Sequence, residues 1–163
     1  MDEIKNMPFP KTHDIETLRR QDAELVFKTF NQDDAVALAC KILASAEDKG
    51  ITACVIVELA GFQVARIFPE GTSEFNELWM NKKLKTAKMM GKSTLLLWAE
   101  MDAMGMKRKA SFSPDGELAL CGGGFPIKVE GCGVIGAVAV SGPGDTIEHD
   151  LIAEAMKESI LQK

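Results

Sequence analysis

The sequence feature that most constrains the fold is an apolar run of nine residues, Gly133–Ser141. Its side chains alternate between two faces, and both faces are apolar: Val134, Val138 and Val140 on one, and Ile135, Ala137 and Ala139 on the other. A strand of this kind lies inside a sheet that is covered on both sides. Gly136 interrupts the run without a side chain, which indicates a bulge or the close approach of another group.

The residues after this strand predict a tight turn and then a helix. Ser141-Gly142-Pro143-Gly144 is a turn signal. Asp145 is the predicted N-cap of a last helix that runs to about Leu161, and Glu148 completes a capping-box pattern.

Periodicity and capping residues divide the rest of the chain into short elements. Met1–His13 has two prolines and no period, so we expect a loose arm or one that leans on a neighbouring subunit. The predicted helices are Asp14–Glu24, Asn31–Lys49, Glu74–Met90 and Thr94–Met104, and the predicted further strands are Leu25–Phe30, Ile51–Leu59, Phe62–Phe68, Glu117–Leu120 and Phe125–Val129. No linker divides the 163 residues, which therefore form a single domain, 1–163.

Composition excludes several classes of protein. The net charge of -5 argues against a nucleic-acid partner, which requires a basic surface. The longest apolar run, Leu95–Ala99, is too short to cross a membrane. The four cysteines form no CxxC pair, which argues against structural zinc and favours reduced thiols. We therefore expect a soluble cytoplasmic protein.

Lys82 lies in the middle of a helical stripe that the sequence predicts to face the core. The stripe contains Phe75, Leu78, Trp79, Thr86 and Met90. A lysine there must extend to solvent, find an acceptor or change its pKa. Two interpretations stay open: a snorkelling or subunit-contact lysine, and a pocket lysine that binds an anionic group.

Two glycine-containing motifs resemble phosphate-binding loops. Gly91-Lys92-Ser93-Thr94 has the ending of a P-loop, but the required earlier glycine is Thr86 and the preceding residues are helical, so nucleotide hydrolysis is rejected. Gly122, Gly123 and Gly124 follow one another and permit positive φ. They can form an anion-binding nest or a bulge that lets two elements approach, and the second is favoured without other evidence.

Several motifs together resemble an uncharacterised bacterial and fungal branch of the haem-degrading-domain superfamily. The resemblance covers roughly Phe27 to Leu161. It is carried by Leu78–Ala87 with Gly91-Lys92-Ser93, by Gly122–Ile127, by Gly136 with Val140-Ser141-Gly142, and by Glu148-His149-Asp150. The superfamily includes secreted haem-binding proteins, a glycolate-utilisation accessory protein and the C-terminal domain of some corrinoid adenosyltransferases.

The resemblance implies an α/β (α+β), profilin-like fold with a five-stranded antiparallel sheet and helices on both faces. It also implies a homo-oligomer, a dimer or larger. Haem or tetrapyrrole binding is known for some relatives, but no iron-ligating residue transfers by motif. The chain has two histidines and no tyrosine.

His149 falls in the first turn of the last helix, where the helix dipole disfavours the imidazolium. A solvent-facing or capping histidine is one interpretation, and a ligand-binding histidine is the other. If the fold is as implied, a candidate site for a carboxylate or phosphate group forms at one sheet edge or subunit interface. Its residues are Lys82, Thr86, Gly122, Gly123, Gly124, Ser141, Gly142 and His149.

Three hypotheses about function follow. The first is an oligomer that binds a small anionic ligand, with haem or another anionic cofactor as the named candidate. The second is a non-enzymatic scaffold or adaptor that binds protein partners through a large apolar interface. The third and weakest is a haem-degrading enzyme, since the sequence contains no recognisable nucleophile, base and acid set.

Overall fold

The protein is an α+β domain whose single sheet separates two layers of helices. The structure, a computed structural model, describes residues 7–106, 113 and 115–163. In chain order the elements are α1 (Ile15–Glu24), α2 (Gln32–Asp48), β1 (Cys54–Leu59), β2 (Phe62–Ile67), α3 (Glu74–Met90), α4 (Thr94–Ala103), β3 (Gly124–Val129), β4 (Gly133–Ser141) and α5 (Asp145–Leu161). Residues 1–6 of the predicted arm lie outside the described residues, as do residues 107–112 and 114, which follow the predicted helix Thr94–Met104.

The sheet is antiparallel throughout, in the order β2-β1-β4-β3. Two hairpins, β1–β2 and β3–β4, meet through the central pair of strands, β1 and β4. Gly136 lies in that central contact, where a Cβ atom would lie 2.1 Å from the carbonyl oxygen of Glu58. The predicted close approach is therefore confirmed, because any side chain at this position would separate the two hairpins.

The two faces of β4 bury different apolar clusters, as its alternation predicts. Val138 and Val140 face α2 and α5, whose apolar sides supply residues such as Leu38, Ile42 and Ile152. Ala137 and Ala139 face α3, in a smaller cluster completed by Cys54, Ile56, Met80, Leu84 and Ala87. Small alanines on this face let α3 approach the sheet closely.

The helix starts follow from local hydrogen bonds. Asn31 caps α2 and forms a full capping box with Asp34, and the Ser93 hydroxyl caps α4 by accepting from the backbone N–H of Leu96. The predicted cap of α5 is wrong. Gly144 is its N-cap residue, and the carboxylate of Asp145 accepts from the backbone N–H of Gly122 instead.

The five-stranded count is not found, since the sheet has four strands within the described residues. Leu25–Phe30 makes a single parallel bridge, between Phe27 and Val129. Glu117–Leu120 forms no strand, and the N–H of Ala119 donates to the side chain of Thr86. The buried residues of the two segments are apolar, namely Leu25, Phe27, Leu118, Ala119 and Leu120. Burial of these side chains without strand pairing produced the misleading pattern.

The N-terminal residues that the structure describes contact their own chain. The Phe9 ring meets the buried ring of Trp98 edge-on at a centroid distance of 5.1 Å. His13 bonds the carboxylate of Asp150 in α5 at 2.7 Å. Among the described helices, none combines the length and the apolar character that crossing a bilayer requires.

Candidate functional site

A buried ion pair joins α3, α5 and the end of β4. The Nζ atom of Lys83 lies 2.6 Å from Glu148 Oε2, and each side chain is only 5% exposed. The same ammonium donates to the carbonyl oxygen of Val140 at 2.8 Å. The other carboxylate oxygen of Glu148 accepts from the backbone N–H groups of Gly142 at 2.8 Å and Gly144 at 3.2 Å. The pair therefore fixes the turn between β4 and α5 against α3.

The electrostatics of this cluster keep Lys83 charged. Burial alone would lower the pKa of Lys83, but the electrostatic interactions with Cys121, Glu148 and Asp145 and the hydrogen bond to Glu148 outweigh it and raise the pKa. Burial also raises the pKa of the Cys54 thiol to about 11, so this buried cysteine remains a thiol at neutral pH.

The three consecutive glycines pack directly against this pair. A Cβ atom on Gly122 would lie 2.2 Å from the carbonyl oxygen of Asp145, and one on Gly123 would lie 2.7 Å from Glu148 Oε2. The N–H of Gly122 donates to the Asp145 carboxylate at 2.8 Å, and that of Gly124 donates to Thr94 Oγ1 at 3.0 Å. These contacts favour the close-approach interpretation, because two of the three N–H groups bind the protein itself.

His149 lies in the core, one residue after the buried carboxylate. Its ring contacts Phe125 at a centroid distance of 4.6 Å, and its Nε2 atom lies 2.6 Å from Gln21 Oε1. Within the described residues its Nδ1 atom has no hydrogen-bond partner. Burial, together with the neighbouring His13, lowers the pKa of His149 to about 3. The solvent-facing interpretation is wrong, and the imidazole is neutral at physiological pH.

Most of the stripe of α3 that was predicted to face the core is not buried: Phe75, Leu78 and Met90 are exposed and Trp79 is half-buried, whereas Thr86 is buried as predicted. The buried face instead carries Met80, Lys83, Leu84, Thr86 and Ala87. The Nζ atom of Lys82 lies over the Trp79 ring, 5.2 Å from its centroid. The Thr86 hydroxyl donates to the carbonyl oxygen of Lys82 at 2.7 Å, beneath the segment that contains Ala119. The buried lysine of this helix is thus Lys83 and not Lys82.

The structure brings together only part of the predicted set. Gly123 and Gly142 contact Glu148, Gly122 packs against Asp145 at the start of the same helix, and the Ser141 hydroxyl accepts from Asn76 Nδ2 at 3.1 Å. His149 is next to this group in α5 but points toward α1 through Gln21. Lys82 and Thr86 make their contacts on other parts of α3.

An open cleft lies between α1 and the second half of α5. It has a volume of about 310 Å³. Its lining is Thr17, Arg20, Gln21, Glu24, Leu25, Ala153, Lys157, Ile160 and Leu161. Apolar side chains form much of its surface, while the cations Arg20 and Lys157 are exposed. Gln21 connects the cleft to the buried ring of His149. The arrangement suits an anion that also carries an apolar body.

Sequence reasoning missed the residues that define the buried ion pair and the residues that supply the charge of the cleft. Lys83 follows the i, i+3, i+4 spacing of Met80, Leu84 and Ala87, which was the available signal for its burial. Its partner Glu148 is 65 residues away, and no local pattern links the two. Arg20 and Lys157 belong to separate helices, and only the packing of α1 on α5 makes them neighbours of one cleft.

Comparisons with known proteins agree with this fold. A family model described as "Haem degrading protein HbpS-like" matches residues 30–157. The "UPF0303 protein SCO2848" of Streptomyces coelicolor is 30% identical over 153 residues, covering 93% of this chain and 96% of that protein. The crystal structure of the Ybr137w protein superposes with a TM-score of 0.78 at 17% identity, covering 99% of this chain and 94% of that chain.

A second solved structure, described as the PduOC:Heme complex, has a TM-score of 0.64 and 18% identity and covers 81% of this chain and 94% of that chain. At these identities the two solved structures support the fold alone. The family match spans well over half of the chain. The protein therefore belongs to the HbpS-like haem-degrading protein family.

Proposed function

We propose that this protein is a self-associating, ligand-binding protein, and that its ligand is a small anion with an apolar body, with haem as the first candidate. The observation that carries the proposal is the cleft between α1 and α5. A cytoplasmic location, inferred from the cysteine pattern, is part of the same proposal.

The chemistry of the cleft supports an amphipathic anion. Leu25, Ala153 and Ile160 offer apolar surface to a flat or aliphatic body. Arg20 and Lys157 supply positive charge, and neither forms an ion pair with another described residue. A guanidinium binds a carboxylate through two parallel hydrogen bonds, so Arg20 is the better anchor of the two.

Haem has the required character, since its two propionates are anionic and its macrocycle is apolar. The PduOC:Heme complex shares this fold, which supports haem as the first ligand to test. Arg20 and Lys157 would hold the propionates, and the apolar lining would contact one part of the ring. The bound group would supply its own iron chemistry.

The feature of haem binding that this chain supports least is an axial ligand for the haem iron. His149 is fully buried, and His13 is bonded to Asp150 and Thr12. Cysteine, methionine and tyrosine also ligate haem iron, but none of them is among the residues that line the cleft. We therefore propose recognition through the carboxylates and the macrocycle, so that metal-free protoporphyrin should bind nearly as well as haemin.

The site predicted from the sequence stays a prediction, and a ligand titration of a Lys82 variant tests it. In that site Lys82, Thr86, Gly122, Gly123, Gly124, Ser141, Gly142 and His149 would contact the ligand. Substitution of Lys82 should weaken binding if this set is correct, and should leave affinity unchanged if the cleft is the site.

The test is a titration with haemin and, separately, with protoporphyrin, followed by absorbance and fluorescence. Wild type should show saturable binding with a shifted Soret band. R20A/K157A should weaken binding of both compounds at least tenfold. The matched control is R19A/K28A, which removes the same charge from positions outside the cleft. Equal affinity of the two double variants, or no saturable binding by wild type, would overturn the proposal.

A further inference from the structure

The outer face of α3 carries an uncovered apolar stripe. We define the α3 stripe as Phe75, Leu78, Lys82 and Met89, which share one side of the helix. Phe75 is 66% exposed, Leu78 51% and Met89 65%. Three large apolar side chains exposed along a single helix face form a patch of the kind that marks a protein contact.

Two side chains of the stripe contact the half-buried ring of Trp79 beside it. The Phe75 and Trp79 rings meet edge-on at a centroid distance of 6.3 Å, and Lys82 lies over the same Trp79 ring. A rigid aromatic pair beside an aliphatic residue is typical of the anchors of protein interfaces, because little side-chain entropy is lost on binding.

Charge along α3 is divided between its two halves. The first turn carries Glu74 and Glu77, and the later turns carry the lysines. Glu77 pairs with Arg66, and Lys88 and Lys85 pair with acidic residues of their own chain. Glu74 and Lys82 differ, since neither has an ion-pair partner within residues 7–106, 113 and 115–163. Leu78 stands midway between them in sequence.

This pattern is self-complementary when the helix is reversed. Two copies of α3 that pack antiparallel with Leu78 near a two-fold axis bring Glu74 of each copy toward Lys82 of the other. Each charge lies about 6 Å along the helix axis from Leu78, at a rise of about 1.5 Å per residue. The contact would bury the α3 stripes of both copies and form two equivalent Glu74–Lys82 ion pairs, as a closed two-fold interface requires.

We propose that the α3 stripe is the interface for a second copy of this chain, in an antiparallel α3–α3 contact centred on Leu78. The inference deepens the self-association part of the proposed function by naming its surface and its symmetry. It does not depend on the ligand, because the cleft between α1 and α5 is lined by other residues.

The experiment measures mass in solution by sedimentation velocity for wild type and for the reciprocal charge variants E74K and K82E. In either single variant the contact would face like charges at both ends, so we expect at least a tenfold weaker association. The double variant E74K/K82E exchanges the charges and should recover the wild-type association. E130K and K28E reverse charge at exposed positions outside the stripe and serve as controls that should associate like wild type.

Mixing E74K with K82E tests the proposed charge pairing most directly. In an E74K–K82E heterodimer both ion pairs are attractive, so the mixture should form dimers although each variant alone dissociates. L78D should remove the contact in every combination, and its far-UV circular dichroism shows whether it remains folded. A monomeric wild type would overturn self-association itself. An associated wild type whose mass is unchanged by E74K, K82E and L78D would overturn this interface and leave self-association standing.

Discussion

Replacing Lys83 by methionine removes one partner of the buried ion pair and leaves a carboxylate in the core. The retained carboxylate of Glu148 keeps its two backbone N–H donors but loses the ammonium at 2.6 Å. Breaking a buried pair on one side costs about 3–5 kcal/mol, because the remaining charge is uncompensated. Against a total stability of about 5–15 kcal/mol, K83M should unfold far more readily than wild type.

The assay is urea unfolding followed by far-UV circular dichroism, with thermal unfolding as a second readout. At about 2–4 °C per kcal/mol for a chain of this size, the midpoint temperature should fall by roughly 6–20 °C. The raised pKa of Lys83 means that its contribution is fully present below the ordinary lysine value of about 10.4 and is lost only as pH rises beyond the folded-state value. The loss in K83M should therefore be similar at pH 6 and pH 8.

Two further variants test whether the Lys83–Glu148 pair stabilises the fold. K85M removes a lysine of the same helix whose ion pair with Glu117 is solvent-exposed, so its cost should stay within about 1 kcal/mol. E148Q keeps an acceptor oxygen, and a double-mutant cycle with K83M should show a coupling of at least about 1 kcal/mol. A K83M cost no larger than that of K85M, or strictly additive effects, would show that the buried pair does not stabilise the fold.

Three other outcomes are expected. G123A should destabilise the protein by more than G131A, since both glycines have positive φ but only the first would place a Cβ 2.8 Å from a strand carbonyl oxygen; urea midpoints compare them. Because the pKa of His149 is about 3 in the folded state and about 6.5 when unfolded, stability should fall by up to roughly 1.4 kcal/mol per pH unit below pH 6.5, and H149F should lose that slope. Cys132, which is exposed, should react with a thiol reagent in the native state, whereas Cys54 should react only on unfolding; equal rates would contradict its burial.

The sequence predicted elements whose signals are local. The two-sided apolar run gave the central strand correctly, and Asn31 and Ser93 identified the starts of α2 and α4 because a cap needs only residues within one turn. Helix α3 shows where local signals fail. Its largest apolar side chains suggested the wrong buried face, because a large apolar side chain has the same hydrophobic character whether the fold exposes it or buries it.

The candidate site shows the same limit. Gly122 and Gly123 could be recognised as residues at a close approach, but the groups that approach them come from α5. Burial of Lys83 depends on a carboxylate supplied by a distant helix, and the position of His149 depends on Gln21 of α1. Such long-range pairs leave no periodic trace in a single sequence.

The sheet order also determines how the chain can fold. Each hairpin joins strands that are close in sequence, whereas the central pairing brings Cys54 opposite Ser141. Closing so long a loop is entropically costly before its contacts form, so the docking of one hairpin on the other should limit the folding rate. Gly136 stands at that junction, and a side chain there would obstruct the docking step. A G136A variant should therefore lose refolding speed as well as stability, which stopped-flow refolding would measure.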